Sequence, residues 1–375
     1  MKKSLRKCLL LAAMLAPLCG ASAQETPFEG TNFVKMAADE SDFAGRCFFT
    51  GYTTSSKKYY FLNALSESGY YTATEFTPTG GRVTEEPEGA ILFNIENVDG
   101  KYAFKNTTSK KYIKNAGNNT YAITEVDAAG EAGTLATIST DGKVETITFD
   151  CGEGNNNNLL KLNGSANPKR FSSYASGQTA VQLYRQVYTR EGLTAGNFGT
   201  MCLPFGGKVS GAELYAIEAK QMDGEEVKSI SLVKVEKAVA GQPYIFKATG
   251  TELVVKYEGD AEVTPPSEGV NGLVGSLEAK NVDEGMYLIS GNQVKKVGSA
   301  GGHIKANRCY INMANVPNAP ASAGAFIFSF GNGTDAIQAI KAGNSGTNAI
   351  YDLSGRRVKA AKKGLYIVNG KKIIK

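Results

Sequence analysis

Short runs in which apolar and polar residues alternate, or in which β-branched residues cluster, recur along the whole chain. Turn dipeptides of the Asp-Gly and Asn-Gly type separate these runs at hairpin spacing, and helical periodicity is scarce. The pattern predicts an all-β fold with two β-rich domains and a short C-terminal hairpin. Representative runs are 90–95, 144–149, 229–235 and 326–330.

Residues 43–186 carry a loose internal repeat that predicts the first domain. Lys58-Tyr-Tyr-Phe-Leu-Asn63 is echoed by Lys101-Tyr-Ala-Phe-Lys-Asn106 and by Leu159-Leu-Lys-Leu-Asn-Gly164. Each copy is followed by a polar turn and a second strand with aromatic residues. Three such units resemble a β-trefoil, the fold of ricin-type lectins, although the lectin Gln-x-Trp signature is missing because the chain has no tryptophan. A β-sandwich is the alternative.

Residues 187–332 have a different texture and predict a second β domain of sandwich or barrel type. It opens with Gly199-Thr-Met-Cys-Leu-Pro-Phe205, and strands follow at 242–247 and 304–310. These segments resemble the recurrent GTxCLPF domain of exported Bacteroidota proteins, whose function is usually unassigned. The resemblance therefore implies a fold type but no chemistry.

The C-terminal end consists of a linker-like stretch, 333–349, and a basic tail, 350–375. Tyr351-Asp-Leu-Ser-Gly-Arg-Arg-Val358 precedes a predicted hairpin around Asn369-Gly370. The tail resembles the sorting signal of the type IX (Por) secretion system. That resemblance implies the secretion machinery as a partner, and the outer membrane, cell surface or medium as destination. The alternative is a strand pair that caps the preceding domain.

The N-terminus has the features of a cleavable signal peptide, residues 1–23. Four basic residues precede a short apolar run, and the small residues before Gln24 place the cleavage between Ala23 and Gln24. Cys19 raises the alternative of a lipoprotein, but Leu18 does not fit a lipidation motif. A linker, 24–42, follows, and no segment has the length of a transmembrane helix.

The charge distribution argues against a nucleic-acid partner. The whole chain carries +5, and the signal peptide accounts for four of these positive charges. The tail has eight basic residues and one acidic residue, which leaves the body between them at about −6. The basic character therefore belongs to the two terminal segments.

Four cysteines remain after the predicted cleavage: Cys47, Cys151, Cys202 and Cys309. If pairing is local to each domain, Cys47 pairs with Cys151 and Cys202 with Cys309. The alternative, which we slightly favour, is that each is a small buried apolar residue. The chain has no CxxC spacing of the kind that binds a metal.

Catalytic motifs are scarce, so no catalytic residue, metal ligand or cofactor is assigned. His303 is the chain's one histidine and lies in a Gly-rich loop without a nucleophile motif. Acidic clusters at 85–88, 225–226 and 283–284 fall in polar loops, where solvated carboxylates are the rule. A hydrolase, for example a glycoside hydrolase, therefore ranks third among the functions.

Binding is the function that the composition favours. The first domain contains ten of the chain's 18 tyrosines, whose rings can stack on sugars beside asparagine and lysine side chains. Tyr112, Asn115 and Tyr174 are the predicted binding residues. The alternative is that these tyrosines are sheet residues with their hydroxyls at the rim. We therefore expect an exported, non-enzymatic protein that binds a glycan or a protein, with a structural or adhesive role as the second hypothesis.

Overall fold

The computed structural model describes residues 27–37, 40–79, 81–259, 262–290, 292–319, 327–329, 350–351, 357–358, 365–368 and 371–374. Strands dominate these residues, and no helix among them reaches seven residues. A 3-10 turn forms at Met313–Asn315. The all-β prediction is confirmed. Within the same ranges, no helix has the length and apolar character needed to cross a membrane.

Fifteen strands form the first region of the described chain. They are β1 (Glu29–Lys35), β2 (Gly45–Thr53), β3 (Lys58–Ser66), β4 (Tyr70–Phe76), β5 (Arg82–Val83), β6 (Phe93–Val98), β7 (Lys101–Asn106), β8 (Tyr112–Asn115), β9 (Ile123–Val126), β10 (Leu135–Thr140), β11 (Glu145–Phe149), β12 (Leu159–Asn163), β13 (Arg170–Tyr174), β14 (Thr179–Ala180) and β15 (Gln182–Arg190). Antiparallel pairing of β2 with β15 joins the two ends of the repeat region. Buried aromatic rings from successive strands fill its interior.

The internal repeat corresponds to three hairpins: β3–β4, β7–β8 and β12–β13. The asparagines that end β7 and β12 make the same hydrogen bonds to the turn that follows. Asn106 Oδ1 accepts from the backbone N–H groups of Thr108 and Ser109, at 2.9 and 3.2 Å. Asn163 Oδ1 accepts likewise from the N–H groups two and three residues ahead. The repeated asparagine is therefore a turn cap, and the trefoil assignment stays a prediction.

The structure differs from the linker prediction for residues 24–42, because β1 lies within them. β1 pairs antiparallel with β15 along seven residues. Phe33 is buried, and its ring packs edge-on against Phe48 at 5.0 Å between centroids. This strand begins with the polar and small residues Glu-Gly-Thr-Asn, so its sequence resembles a linker although Phe33 is buried.

Fourteen further strands follow β15. They are β16 (Phe198–Cys202), β17 (Gly207–Ser210), β18 (Ala212–Asp223), β19 (Glu226–Val235), β20 (Lys237–Ala238), β21 (Pro243–Ala248), β22 (Leu253–Lys256), β23 (Leu273–Ser276), β24 (Lys280–Val282), β25 (Tyr287–Ser290), β26 (Gln293–Lys296), β27 (Gly302–Ile304), β28 (Arg308–Ile311) and β29 (Ile327–Ser329). β15 also pairs with β22 through residues 187–190. The sheet thus runs through the boundary predicted between residues 186 and 187.

Two sheets of the second region pack face to face. One has the order β16-β21-β18-β19-β29, and the other has the order β23-β28-β25-β26. Ile245 of β21 packs between them, whereas its neighbours Tyr244 and Phe246 pack on the opposite side, toward β15 and β22. β21 is therefore buried on both faces.

A polar cluster joins β1 and β15 to β28 across the seam between the two regions. Glu29 forms an ion pair with Arg308, and Tyr188 donates its hydroxyl to Glu29 Oε1 at 2.6 Å. Arg308 Nη1 also donates to the Tyr188 hydroxyl at 3.2 Å. Burial alone would raise the pKa of Glu29, but the hydrogen bonds from Arg308 and Tyr188 outweigh it and lower the pKa.

The C-terminal tail contributes a separate four-stranded sheet of β30 (Ile350–Tyr351), β31 (Arg357–Val358), β32 (Leu365–Val368) and β33 (Lys371–Ile374). Val368 is the register partner of Lys371, so the predicted terminal hairpin forms. The predicted signal peptide, its cleavage site and the linker 333–349 lie outside the described residues.

Candidate functional site

Two tyrosines and an arginine form a surface cluster where three loops of the first region meet. Tyr70 begins β4, Tyr121 lies in the β8–β9 loop, and Arg170 begins β13. β13 pairs with β4, and this register places Arg170 opposite Thr72. We call Tyr70, Tyr121 and Arg170 the tyrosine–arginine shelf.

The guanidinium of Arg170 lies against both rings of the shelf. Its Cζ is 5.3 Å from the Tyr70 ring centroid and 5.0 Å from the Tyr121 centroid. The two ring centroids are 5.8 Å apart, and the ring planes are inclined at 58°. At exposed positions such cation–π contacts are worth about 0.5–1 kcal/mol each, which is enough to orient the three side chains.

The shelf is open to solvent, and its positive charge has no ion-pair partner among the described residues. Tyr121 is 46% exposed, and it is the one aromatic residue among the exposed large apolar side chains of the described residues. Among the residues that the structure describes, no carboxylate forms an ion pair with Arg170, and its Nε is buried without a hydrogen-bond partner. Within the described part of the chain, a ligand that approaches the rings therefore meets a cation whose side-chain contacts are with the two rings.

Close packing between two turns fixes the shelf. Gly69 has φ of +78°, and a Cβ there would lie 2.2 Å from the carbonyl oxygen of Tyr121. The Gly69 carbonyl accepts from the Ile123 N–H at 3.1 Å. Only glycine allows both the left-handed conformation and this approach, so the β3–β4 turn seats the β8–β9 loop.

Exposed amides lie in sequence immediately before Tyr121. Asn119 Oδ1 accepts from the Tyr121 backbone N–H at 2.6 Å, and Asn119 Nδ2 donates to Asn118 Oδ1 at 3.1 Å. Both asparagines are exposed. The loop thus presents amide donors and acceptors beside an aromatic face, which is the combination of orienting polar groups and apolar area that small-ligand sites use.

Asn115, a predicted binding residue, is fully buried and holds this loop from beneath. Its Oδ1 accepts from the Gly117 N–H and the Ser173 hydroxyl, both at 2.9 Å. Its Nδ2 donates to the Asn157 carbonyl at 3.2 Å. Three hydrogen bonds engage this buried amide within the protein, so in this structure Asn115 positions the loop and does not face a ligand.

The other two predicted binding residues are also engaged within the protein. Tyr174 is 8% exposed, and its hydroxyl accepts from Asn163 Nδ2 at 3.1 Å. Tyr112 is half-buried and donates its hydroxyl to Glu96 Oε2 at 2.9 Å. Lys105 Nζ lies 5.6 Å from the Tyr112 ring centroid and 3.9 Å from Glu96 Oε1. The structure therefore does not bring Tyr112, Asn115 and Tyr174 into one exposed face.

Sequence reasoning missed Arg170, because it sits in a strand counted only as part of the repeat. Tyr121 was one of ten tyrosines in the first domain, without a distinguishing mark. The signal that could have found it is the run Asn118-Asn-Thr-Tyr121, where an aromatic residue stands in a polar hairpin loop rather than in a strand.

A second concave feature lies between β1, β15 and β22. This cleft has a volume of about 290 Å³ and is lined by Lys35, Glu40, Arg185, Lys256 and apolar side chains. Glu40 Oε2 already forms ion pairs with Arg185 at 2.7 Å and with Lys256 at 3.0 Å. Because the carboxylate satisfies these cations internally, the cleft offers a ligand less than the shelf does.

Comparison of the chain with protein-family models, with curated proteins and with solved structures finds no match. The resemblances to a β-trefoil, to the GTxCLPF domain and to a type IX sorting tail therefore remain predictions.

Proposed function

We propose that this chain is an exported, non-enzymatic protein that binds glycans at the cell surface or in the medium, through the tyrosine–arginine shelf. Export rests on the N-terminal signal pattern. Sorting by the type IX machinery rests on the residues of the tail, 350–375.

A single observation supports glycan binding most directly: a guanidinium that has no carboxylate partner among the described residues lies against two adjacent tyrosine rings at the surface. Ring faces pack on the apolar face of a sugar, and the amides of Asn118 and Asn119 are placed to bond its hydroxyls. Arg170 adds a preference for acidic sugars, because guanidinium groups bind carboxylates and sulfates with charge-assisted hydrogen bonds.

The test is the binding of the purified chain to an array that contains neutral, uronic-acid and sulfated glycans. Wild type, Tyr121→Ala and Tyr310→Ala are compared. Tyr310 is the matched control, because its ring also carries a cation, Lys280 Nζ at 5.3 Å, but it lies in the second region. Thermal unfolding verifies that each variant is folded.

We expect wild type and Tyr310→Ala to select acidic glycans, and Tyr121→Ala to lose at least tenfold in apparent affinity. An array without any reproducible signal from folded protein would overturn the proposal. Equal binding by Tyr121→Ala and wild type would overturn the shelf as the site.

A further inference from the structure

Two of the four described cysteines lie side by side between the facing sheets of the second region. Cys202 ends β16 and Cys309 lies in β28, and both are buried. The Cys202 N–H donates to the Asn307 carbonyl at 3.2 Å, and the Cys309 N–H donates to Thr200 Oγ1, also at 3.2 Å. Reciprocal bonds therefore hold residues 200–202 against residues 307–309.

The position of Gly275 indicates that the side chains of Cys202 and Cys309 lie next to each other. Gly275 is the register partner of Cys309, and side chains of directly opposed residues project from the same face of a sheet. A Cβ at Gly275 would lie only 2.4 Å from Cys202 Sγ. The Cys202 sulfur thus occupies the volume that a side chain next to Cys309 would fill. From the other side, Cys309 Sγ contacts the carbonyl oxygen of Met201 at 3.6 Å.

The other two cysteines belong to the same core cluster of the first region, but they have different immediate neighbours. Cys47 Sγ lies 3.9 Å from the Gly45 carbonyl oxygen, and the neighbours of Cys47 on the adjacent strands are Phe93 and Arg185. Cys151 Sγ donates to the Asn115 carbonyl at 3.0 Å. The hydrogen bonds and strand pairings of the described residues give Cys47 and Cys151 no partner in common.

We propose that Cys202 and Cys309 form a disulfide that links the two sheets, and that Cys47 and Cys151 stay as thiols. The structure holds all four in the thiol form. The oxidant is a low-molecular-weight disulfide of the glutathione type. One cysteine thiolate attacks it, a mixed disulfide forms, and one small thiol leaves. The second cysteine then displaces the other small thiol, so that two protein thiols are oxidised and one small disulfide is reduced to two thiols.

Burial determines when this exchange takes place. Desolvation raises the pKa of Cys202 to about 12 and raises the pKa of Cys309 well above its usual value. Because the thiolate is the reactive form, the folded protein resists oxidation. The bond therefore forms before the two sheets close.

The test is refolding of the reduced full chain with and without oxidised glutathione, followed by acid quench, denaturation, alkylation without reductant and peptide mapping by mass spectrometry. We expect refolding with the oxidant to leave Cys47 and Cys151 alkylated and to yield one cross-linked peptide pair with Cys202 and Cys309. Oxidant added after folding should leave all four alkylated.

Alkylation of Cys202 and Cys309 in the chain refolded with oxidant would overturn the proposal, as would a cross-link of either one to Cys47 or Cys151. A second measurement uses matched variants. Reductant should lower the unfolding midpoint of oxidised wild type and Cys47→Ser by roughly 10 °C, since the bond closes a loop of about 100 residues. Reductant should leave the midpoint of Cys202→Ser unchanged, and an equal decrease in all three proteins would contradict the pairing.

Discussion

Arginine and tyrosine form two clusters in this molecule, and the clusters differ in what surrounds them. At the seam, Arg308 is 7% exposed, bonds to Tyr188 and forms an ion pair with Glu29. At the shelf, Arg170 touches Tyr70 and Tyr121, and no described carboxylate forms an ion pair with it. The same residue types thus form a buried, charge-paired cluster at the seam and a solvent-exposed cluster at the shelf.

The difference shows that composition alone does not identify a binding site. A buried arginine that is neutralised by a carboxylate makes its hydrogen bonds within the protein. Removal of the carboxylate leaves an unpaired buried charge. An arginine at the surface with only ring contacts retains that capacity for a ligand. The seam should therefore control stability, and the shelf should control binding.

The largest effect is expected at the seam. Glu29→Gln removes the negative charge but keeps the shape, so Arg308 loses its ion pair in a mostly buried setting. We expect the free energy of unfolding at pH 7 to fall by about 3 kcal/mol, measured by urea denaturation. Glu67→Gln, at an exposed position in the β3–β4 turn, is the control and should change it by less than about 0.5 kcal/mol.

The pH dependence sharpens this side of the comparison. Glu29 has a lowered pKa in the folded protein, so its contribution is present above the ordinary value of 4.5 and is lost as the pH falls through the folded-state pKa. Denaturation of wild type and Glu29→Gln between pH 7 and pH 3 should give curves that converge toward acid. A difference that stays constant with pH would contradict the role of the charge.

The next effect is expected beneath the shelf. Asn115→Ala removes the acceptor for Gly117 and Ser173 and the donor to Asn157, all within the core. We expect a loss of about 2–3 kcal/mol in unfolding free energy. Asn118→Ala, at an exposed position on the same loop, should cost less than about 0.5 kcal/mol. Equal effects would show that Asn115 does not anchor the loop.

At the shelf itself, Arg170→Gln should separate binding from stability. We expect the affinity for a uronic-acid oligosaccharide to fall about tenfold, which corresponds to about 1.4 kcal/mol. Calorimetric titration measures it. Unfolding free energy should fall by no more than about 1–2 kcal/mol, since the lost contacts are two cation–π interactions near the surface. A large loss of stability with unchanged affinity would show that Arg170 has a structural role, like Arg308 at the seam, and does not bind the glycan.

The smallest effect is expected at Tyr112. Tyr112→Phe removes one partly exposed hydrogen bond to Glu96, and we expect about 0.5–1 kcal/mol of lost stability and an unchanged glycan affinity. Denaturation and titration of the same preparation check both values. A weaker glycan affinity would instead support the binding role that the sequence predicted for Tyr112.

The sequence predicted the all-β class, the three hairpins of the repeat and the terminal hairpin, because alternation and turn dipeptides are local signals. It did not predict β1, whose partner β15 is more than 150 residues away. Local patterns indicate at most that Tyr121 lies in a polar loop, and they do not show whether Tyr121 or Tyr174 is exposed. Both are tyrosines among polar neighbours, and only the tertiary fold buries one and exposes the other.

The same limit explains Asn115. Its position beside Tyr112 suggested a ligand-facing amide, but its partners come from residues 117, 157 and 173, which only the closed fold gathers. Arg170 becomes a candidate only once β13 is paired with β4. Candidate residues were therefore predictable by type, and their roles were not.

The most direct test of the account is a parallel titration of wild type, Tyr121→Ala and Tyr112→Ala with one uronic-acid oligosaccharide. Tyr121 and Tyr112 lie at opposite ends of the β8–β9 hairpin, one open and one closed by Glu96. The account predicts that Tyr121→Ala raises Kd at least tenfold and that Tyr112→Ala stays within about twofold of wild type. The reverse order, or no heat of binding from any folded protein, would contradict it.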